Sequence, residues 1–338
     1  MKWSDNKQII TSLSIKKIGN MVLLYASFWW SKIRKKPAVW GSPMTLSIEP
    51  TTACNLGCPE CPSGLKSFTR ETGNLKQDLN TKILTELSTS LIYVNFYFQG
   101  EPFINKGIFA QIKQASDLGI YSATSTNAHF LTPEACDQVI ESGLKRLIIS
   151  IDGTTQETYE QYRIHGKLDK VLEGTKNIVA AKKKSQSAFP HIIFQFLVVK
   201  PNEHQIEEVK ELAKAYEVDE IRLKTAQVYD YKNGNPLIPD NEKYSRYKKT
   251  KSGEFVLKNK MSNHCWRMWS SAVITWDGNV VPCCFDKDAT HQMGNMSFIS
   301  FKEIWKNASY QNFRKQILIN RKEIDICKNC SEGSKVWA

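Results

Sequence analysis

Hydrophobic and polar positions along this chain alternate between two rhythms. Short apolar runs at MTLSIE (44–49), YVNFYF (93–98), IYSATS (120–125), RLIISI (146–151), HIIFQFLVV (191–199) and EIRLKT (220–225) read as six strands. Helical spacing fills the intervals near 80–89, 105–118, 132–142, 155–183 and 203–216; at Thr132-Pro133-Glu134 a capping Thr precedes Pro at the first helical position. Strand and helix repeated in this way predict an α/β fold with a parallel sheet and right-handed crossovers. Two such sheets compete, a barrel with its chemistry at the carboxyl ends of the strands and a doubly wound open sheet with its site at a switch point. No G-x-G-x-x-G follows the first strand. Small or polar residues end the strands instead, at Gln99-Gly100-Glu101-Pro102, Thr126-Asn127, Ser150 to Asp152-Gly153 and Lys224-Thr225. In a barrel these would converge on one face.

Outside that repeat the pattern changes. Residues 1–40 form an amphipathic helical segment: over 5–36, Ile9, Ile10, Leu13, Ile15, Ile18, Met21, Leu23, Leu24, Phe28, Trp29 and Trp30 are interleaved with lysines. Its apolar side is covered by the main domain, by an anionic membrane surface or by a partner protein. The stretch Met21 to Trp30 is about ten residues where a bilayer crossing takes about 20, so no single pass is expected. The basic run Lys32 to Lys36 behind it does not read as a secretory signal. Residues 41–230 hold the strand–helix repeat, 231–263 read as an ordered linker or lid, and 264–338 as a smaller cysteine-bearing module. That module holds a hairpin (SAVITW and VVPCC around Asp277-Gly278-Asn279) and one helix, SFKEIWKNASYQNFRKQIL.

Composition narrows the class. The chain has 338 residues, 41% hydrophobic, with 46 Lys plus Arg against 34 Asp plus Glu, a net charge of +12. That balance belongs to a folded globular protein and excludes extensive disorder. The positive charge suits an anionic substrate or is simply a surface feature. Nine cysteines are too few for a disulfide scaffold of this length. Three cluster at Cys54, Cys58 and Cys61, and five at Cys265, Cys283, Cys284, Cys327 and Cys330; Cys136 stands alone in a helix pattern as a buried small hydrophobe. Such spacings are thiolate-ligand spacings, and a metalloprotein of the reducing cytoplasm is expected.

Cys54-x3-Cys58-x2-Cys61 places three thiolates on a loop directly after the first strand. Structural zinc closes four ligands, whereas a three-cysteine iron–sulfur cluster leaves one iron open. Over residues 44–225 the sequence resembles the radical S-adenosylmethionine enzymes, whose hallmark is CxxxCxxC after the first strand of a partial (β/α)6 barrel. The resemblance implies that Cys54, Cys58 and Cys61 hold a [4Fe-4S] cluster whose open iron binds S-adenosyl-L-methionine. It implies reductive cleavage to a 5'-deoxyadenosyl radical that abstracts a substrate hydrogen. Gln99-Gly100-Glu101-Pro102 is similar to the family's Gly-Gly-Glu turn, with Gln in place of the first Gly. By the same resemblance Gly100, Glu101, Thr126, Asn127, Ser150 and Arg163 contact the cofactor. The plainer readings of Ser150 as a strand end and of Arg163 as a surface ion-pair partner stand beside it.

Residues 264–332 resemble the SPASM extension of these enzymes, through Cys265, Asp277-Gly278, Pro282-Cys283-Cys284, Gly294-Asn295, a Trp305-bearing helix and Cys327-x2-Cys330. The resemblance implies one auxiliary [4Fe-4S] cluster on Cys265, Cys283, Cys327 and Cys330; a four-cysteine zinc site is the alternative. Cys284, next to a ligand along a strand, is expected to point to the opposite face. The function implied is hydrogen abstraction from a peptide, a protein or a small sugar-like or alcohol substrate. A reducing partner of flavodoxin or ferredoxin type is implied, and no nucleic acid is expected. The opposing class is a zinc-stapled protein that binds nucleic acid or protein without catalysis.

Overall fold

The six strands form one parallel sheet in chain order. In the computed structural model, which describes residues 3–258 and 261–330, they are β1 (Thr45–Ile48), β2 (Tyr93–Asn95), β3 (Tyr121–Thr126), β4 (Arg146–Ser150), β5 (His191–Val198) and β6 (Glu220–Thr225). The expected segments 1–40, 231–263 and 264–338 therefore include residues (1, 2, 259, 260 and 331–338) that lie outside the described residues. Strand order β1-β2-β3-β4-β5-β6 contains no reversal, so there is no switch point and every crossover winds the same way, as in a barrel. The helices are α1 (Trp3–Thr11), α2 (Ile15–Arg34), α3 (Pro62–Leu65), α4 (Gln77–Leu87), α5 (Ile108–Asp117), α6 (Pro133–Glu141), α7 (Gln156–Tyr162), α8 (Leu168–Lys184) and α9 (Ile206–Ala215). Thr132 caps α6 through its hydroxyl, which accepts from the Ala135 amide at 3.2 Å.

The single helix expected over 155–183 is two. The chain leaves α7 at Arg163, turns through His165 at φ +67° and packs Gly166 against the Tyr159 ring, where a Cβ would meet a ring carbon at 2.6 Å. Gln156 closes the break, its side-chain oxygen accepting from the Leu168 amide at 2.8 Å.

The C-terminal part continues the sheet. After β7 (Tyr247–Lys249), β8 (Phe255–Leu257) and α10 (Arg267–Ser270) come β9 (Ser271–Ile274), β10 (Asn279–Val281) and β11 (Gly294–Asn295). β9 runs parallel to β1, Thr45 opposite Ser271, and carries β10 and β11 antiparallel beyond it, making nine strands. The expected helix over 300–318 divides into α11 (Phe301–Lys306) and α12 (Ala308–Asn320), because Asn307 ends the first and caps the second, accepting from the Tyr310 amide at 2.9 Å. Arg314 is fully buried between the Trp305 and Tyr310 rings at 4.1 and 4.2 Å and donates to the Met268 and Trp305 carbonyls.

The main core lies between the sheet and its helices and includes Ile48, Val94, Ile149, Phe194 and Trp269, all at most 0% exposed. At the amino ends of the strands, buried Asp5 of α1 pairs with Arg146 and Tyr121, and Tyr93 stacks on Tyr121 at 5.0 Å. Residues 226–258 fold over the opposite end: Ala226, Val228, Leu237, Ile238 and Tyr247 form a second apolar cluster with Leu56, Cys58, Tyr162 and Val199. Among the described residues no helix is long and apolar enough to cross a membrane.

Candidate active site

Carboxyl ends of parallel strands expose loops to one face, and the cysteine loop begins there, just after β1. Cys58 is buried while Cys54 and Cys61 are half-buried. The loop is tight: Cys61 stands immediately before α3, its amide donates to the Cys58 carbonyl at 3.3 Å, and a Cβ on Gly64 would stand 2.6 Å from the Cys58 nitrogen. The Gly57 amide ties it to the Ile164 carbonyl at 2.9 Å, just past α7. A cavity of about 510 Å³ opens beside Cys54, against Thr51, Thr52, Ser63 and Phe68.

The turn after β2 is locked onto this loop. Gly100 adopts φ +73°, and a Cβ there would lie 2.3 Å from the Thr51 carbonyl oxygen, so only glycine fits. Its amide donates to the Ser63 hydroxyl at 2.8 Å, and the Glu101 amide donates to the Ala53 carbonyl at 2.8 Å. The Gln99 carbonyl-type side-chain oxygen lies 3.9 Å from the Cys61 sulfur. Buried Glu101 accepts from the Thr126 hydroxyl at 2.8 Å, the Asn127 amide at 2.7 Å and the Phe103 amide at 3.3 Å. Burial pushes its carboxyl up to about 7 despite these donors. Asn127 in turn donates to the Asn55 side chain at 2.7 Å, reaching back to the cysteine loop.

At the end of β4, Ser150 is buried opposite Gln195 of β5. Two residues on, fully buried Asp152 accepts from Arg163 Nε at 2.5 Å and from the Leu197 amide at 2.7 Å. Arg163 Nη1 then points at the Cys58 sulfur, 3.7 Å away. Arg163 is thus no surface ion-pair partner: the break between α7 and α8 delivers it to the cysteine loop. Burial raises the Cys54 thiol to about 11 and lifts that of Cys58, the latter opposed by Arg163.

A second thiol set gathers in the C-terminal part. Cys265 precedes α10, Cys283 follows β10, and Cys327 and Cys330 close a 3-10 turn in which the Cys330 amide donates to the Cys327 carbonyl at 3.0 Å. Cys265 is the common neighbour, its charge felt by both Cys283 and Cys327. Buried Arg321 donates to the Cys330 sulfur at 3.3 Å and to the His264 carbonyl at 2.9 Å. Cys283 packs on the main core and Cys284 with Phe98, Val273, Val281 and Ala289. Both lie past the end of β10, not along a strand, and their thiols hydrogen-bond to each other, so the expected opposite-face orientation of Cys284 does not hold. Cys136 is fully buried in the core.

The profile of the Radical SAM superfamily matches residues 48–215, and that of SPASM, an iron–sulfur cluster-binding domain, matches residues 265–331. This chain belongs to the radical SAM superfamily. Among its relatives is the AdoMet-dependent heme synthase of Methanosarcina barkeri, 29% identical over 52% of this chain and 49% of that protein. The PqqA peptide cyclase of Bradyrhizobium diazoefficiens is 25% identical over 62% and 53%, so the chain spans about half the length of these two. The S-adenosyl-L-methionine-dependent 2-deoxy-scyllo-inosamine dehydrogenase of Niallia circulans is 23% identical over 86% of this chain and 93% of its own. In fold, the chain is similar to Streptococcus suis SuiB bound to S-adenosylmethionine (TM-score 0.64, 15% identity, 92% and 76% covered). It is also similar to BtrN in complex with AdoMet and 2-DOIA (TM-score 0.54, 20% identity, 86% and 94% covered).

The radical SAM domain carries S-adenosylmethionine and a [4Fe-4S] cluster, the SPASM domain auxiliary iron–sulfur clusters, and the fold is a partial barrel with a C-terminal extension. Both thiol sets fit that chemistry. Within each set the sulfurs sense one another's charge, yet among the described residues no three Cys, His, Asp or Glu side chains converge on the position of a single metal ion. Soft thiol donors are the ligands that iron–sulfur clusters take. Sequence reasoning missed how the site is held. Ser63, Asn55 and Arg321 carry no motif, and buried Glu49, which accepts from Arg70 at 2.6 and 2.8 Å, was signalled only by a charge at the end of an apolar strand.

Proposed function

We propose that this protein is a radical S-adenosylmethionine enzyme that removes a hydrogen atom from a peptide side chain or a small polyhydroxylated substrate. One observation carries the reading: the loops after β1, β2, β3 and β4 are hydrogen-bonded into a single unit around Cys54, Cys58 and Cys61. In this reading those three residues hold the cofactor-binding [4Fe-4S] cluster, and Cys265, Cys283, Cys327 and Cys330 hold one auxiliary [4Fe-4S] cluster. The chemistry that S-adenosylmethionine and its cluster supply there when bound is reductive cleavage of the sulfonium, coupled to hydrogen abstraction.

The chain's own residues set the geometry. Gly100 lets the β2 turn lie against the Thr51 and Ala53 carbonyls, leaving a backbone edge for the amino group of the methionine moiety. Glu101 gathers Thr126 and Asn127 so that the β3 loop faces the same space. Asp152 fixes the Arg163 guanidinium beside Cys58, where its charge offsets negative charge on the sulfur and on the methionine carboxylate. Ser150 completes the floor at β4. A reducing cytoplasmic setting belongs to this reading, because thiolates persist there as metal ligands. A one-electron donor of flavodoxin or ferredoxin type would supply the reductant.

Incubating the anaerobically reconstituted, reduced protein with S-adenosylmethionine tests the reading. Formation of 5'-deoxyadenosine and methionine in equal amounts is expected; their absence from protein that has taken up iron would reject it.

A further inference from the structure

Helix α2 is built inside out. Its inward side carries Lys17, Asn20, Ser27 and Ser31 beside Leu24 and Phe28. The Ser31 hydroxyl donates to the Ser27 carbonyl at 2.7 Å, and the Asn20 side chain is bonded twice to the Ser42 backbone, each at 2.8 Å. Outward it presents Ile15 at 90% exposure, Ile33 at 74% and Val22 at 62%, with Ile18 and Trp29 between them. At about 100° per residue these five fall on one stripe, which at 1.5 Å per residue is about 27 Å long. Elsewhere among the described residues exposed large apolar side chains occur singly or in pairs, such as Phe298 with Ile299 and Trp30 with Trp40.

Charge says what covers the stripe. Between Asp5 and Glu49 the sequence contains no acidic residue, yet it contains Lys7, Lys16, Lys17, Lys32, Arg34, Lys35 and Lys36. At the helical repeat Lys16 and Arg34 fall on one margin of the stripe and Lys32 on the other, where its ammonium sits 4.4 Å over the Trp29 ring. A second copy of this chain pairing stripe to stripe would bring these cations against one another. An anionic headgroup layer would neutralise them, and tryptophans prefer that boundary. We propose that α2 docks this protein in plane on an anionic lipid bilayer, with Ile15, Val22 and Ile33 at the acyl boundary and the basic margins among the headgroups.

The proposal is independent of the cysteine site. Full-length reconstituted protein is sedimented with phosphatidylcholine vesicles with and without phosphatidylglycerol. Binding is expected to rise with the anionic lipid and to weaken with salt. The triple variant Ile15→Ser, Val22→Ser, Ile33→Ser should partition at least about tenfold less, with unchanged iron content and cofactor cleavage. The variant Arg34→Glu, Lys35→Glu, Lys36→Glu should lose the preference for anionic vesicles. Native protein that stays unbound with both vesicle types overturns the proposal, as does a triple variant that binds like native. A concentration-dependent dimer abolished by the triple variant would assign the stripe to a second copy and overturn it equally.

Discussion

Glu101 is where local forces oppose each other most. Two backbone amides and a hydroxyl favour its ionised form, burial favours the neutral one, and burial prevails, raising the carboxyl to about 7. A carboxyl raised on folding contributes stability that is fully present below its unfolded value and is lost as pH climbs through the folded one. The protein without S-adenosylmethionine should therefore lose stability between about pH 4.5 and about pH 7, by on the order of 3 kcal/mol. Thermal melts of native and Glu101→Gln protein across that range check it: the native slope should flatten in the variant, and parallel slopes would contradict the assignment. At this scale the cysteines and Glu101 were legible because their spacing from a strand end is itself the signal. Asp5 was not, since an acid among lysines on a surface-type helix gives no hint that it will be buried against Arg146 and Tyr121.

Among elements, the turn after β2 and the break between α7 and α8 do the positioning. A Gly100→Ala side chain would meet the Thr51 carbonyl at 2.3 Å at a positive φ, so the two loops must part. That variant should lose on the order of 3 kcal/mol in denaturant titration and bind S-adenosylmethionine weakly. The segment after β6 ties the two thiol sets together. The Tyr247 hydroxyl bonds the Val228 backbone and the Asn329 side chain at 2.9 Å, next to Cys330, and Arg246 donates to the Asn329 carbonyl at 3.3 Å. Tyr247→Phe should cost about 1–2 kcal/mol and speed loss of iron from the C-terminal set, read by chelator competition. The strands were legible from period and β-branched content, and four of the five central helices kept their single-helix character. The α7–α8 break was not, because Gly166 reads as one tolerated glycine until the Tyr159 ring is placed against it.

For the whole molecule, one sheet carries both thiol sets, since β9 pairs with β1 in parallel. That pairing joins residues over two hundred positions apart and leaves no local pattern, so the sequence divided what the backbone joins. Shared architecture still allows separate loss. Replacing Cys327 and Cys330 together with Ala should remove roughly half the iron and spare some uncoupled cofactor cleavage, measured by iron assay and product chromatography. The most direct test of the central claim is Cys58→Ala in anaerobically reconstituted protein, with iron and 5'-deoxyadenosine measured on one sample. The account predicts about four irons where the native chain holds about eight, and no cleavage. A Cys58→Ala variant that still makes 5'-deoxyadenosine would contradict it.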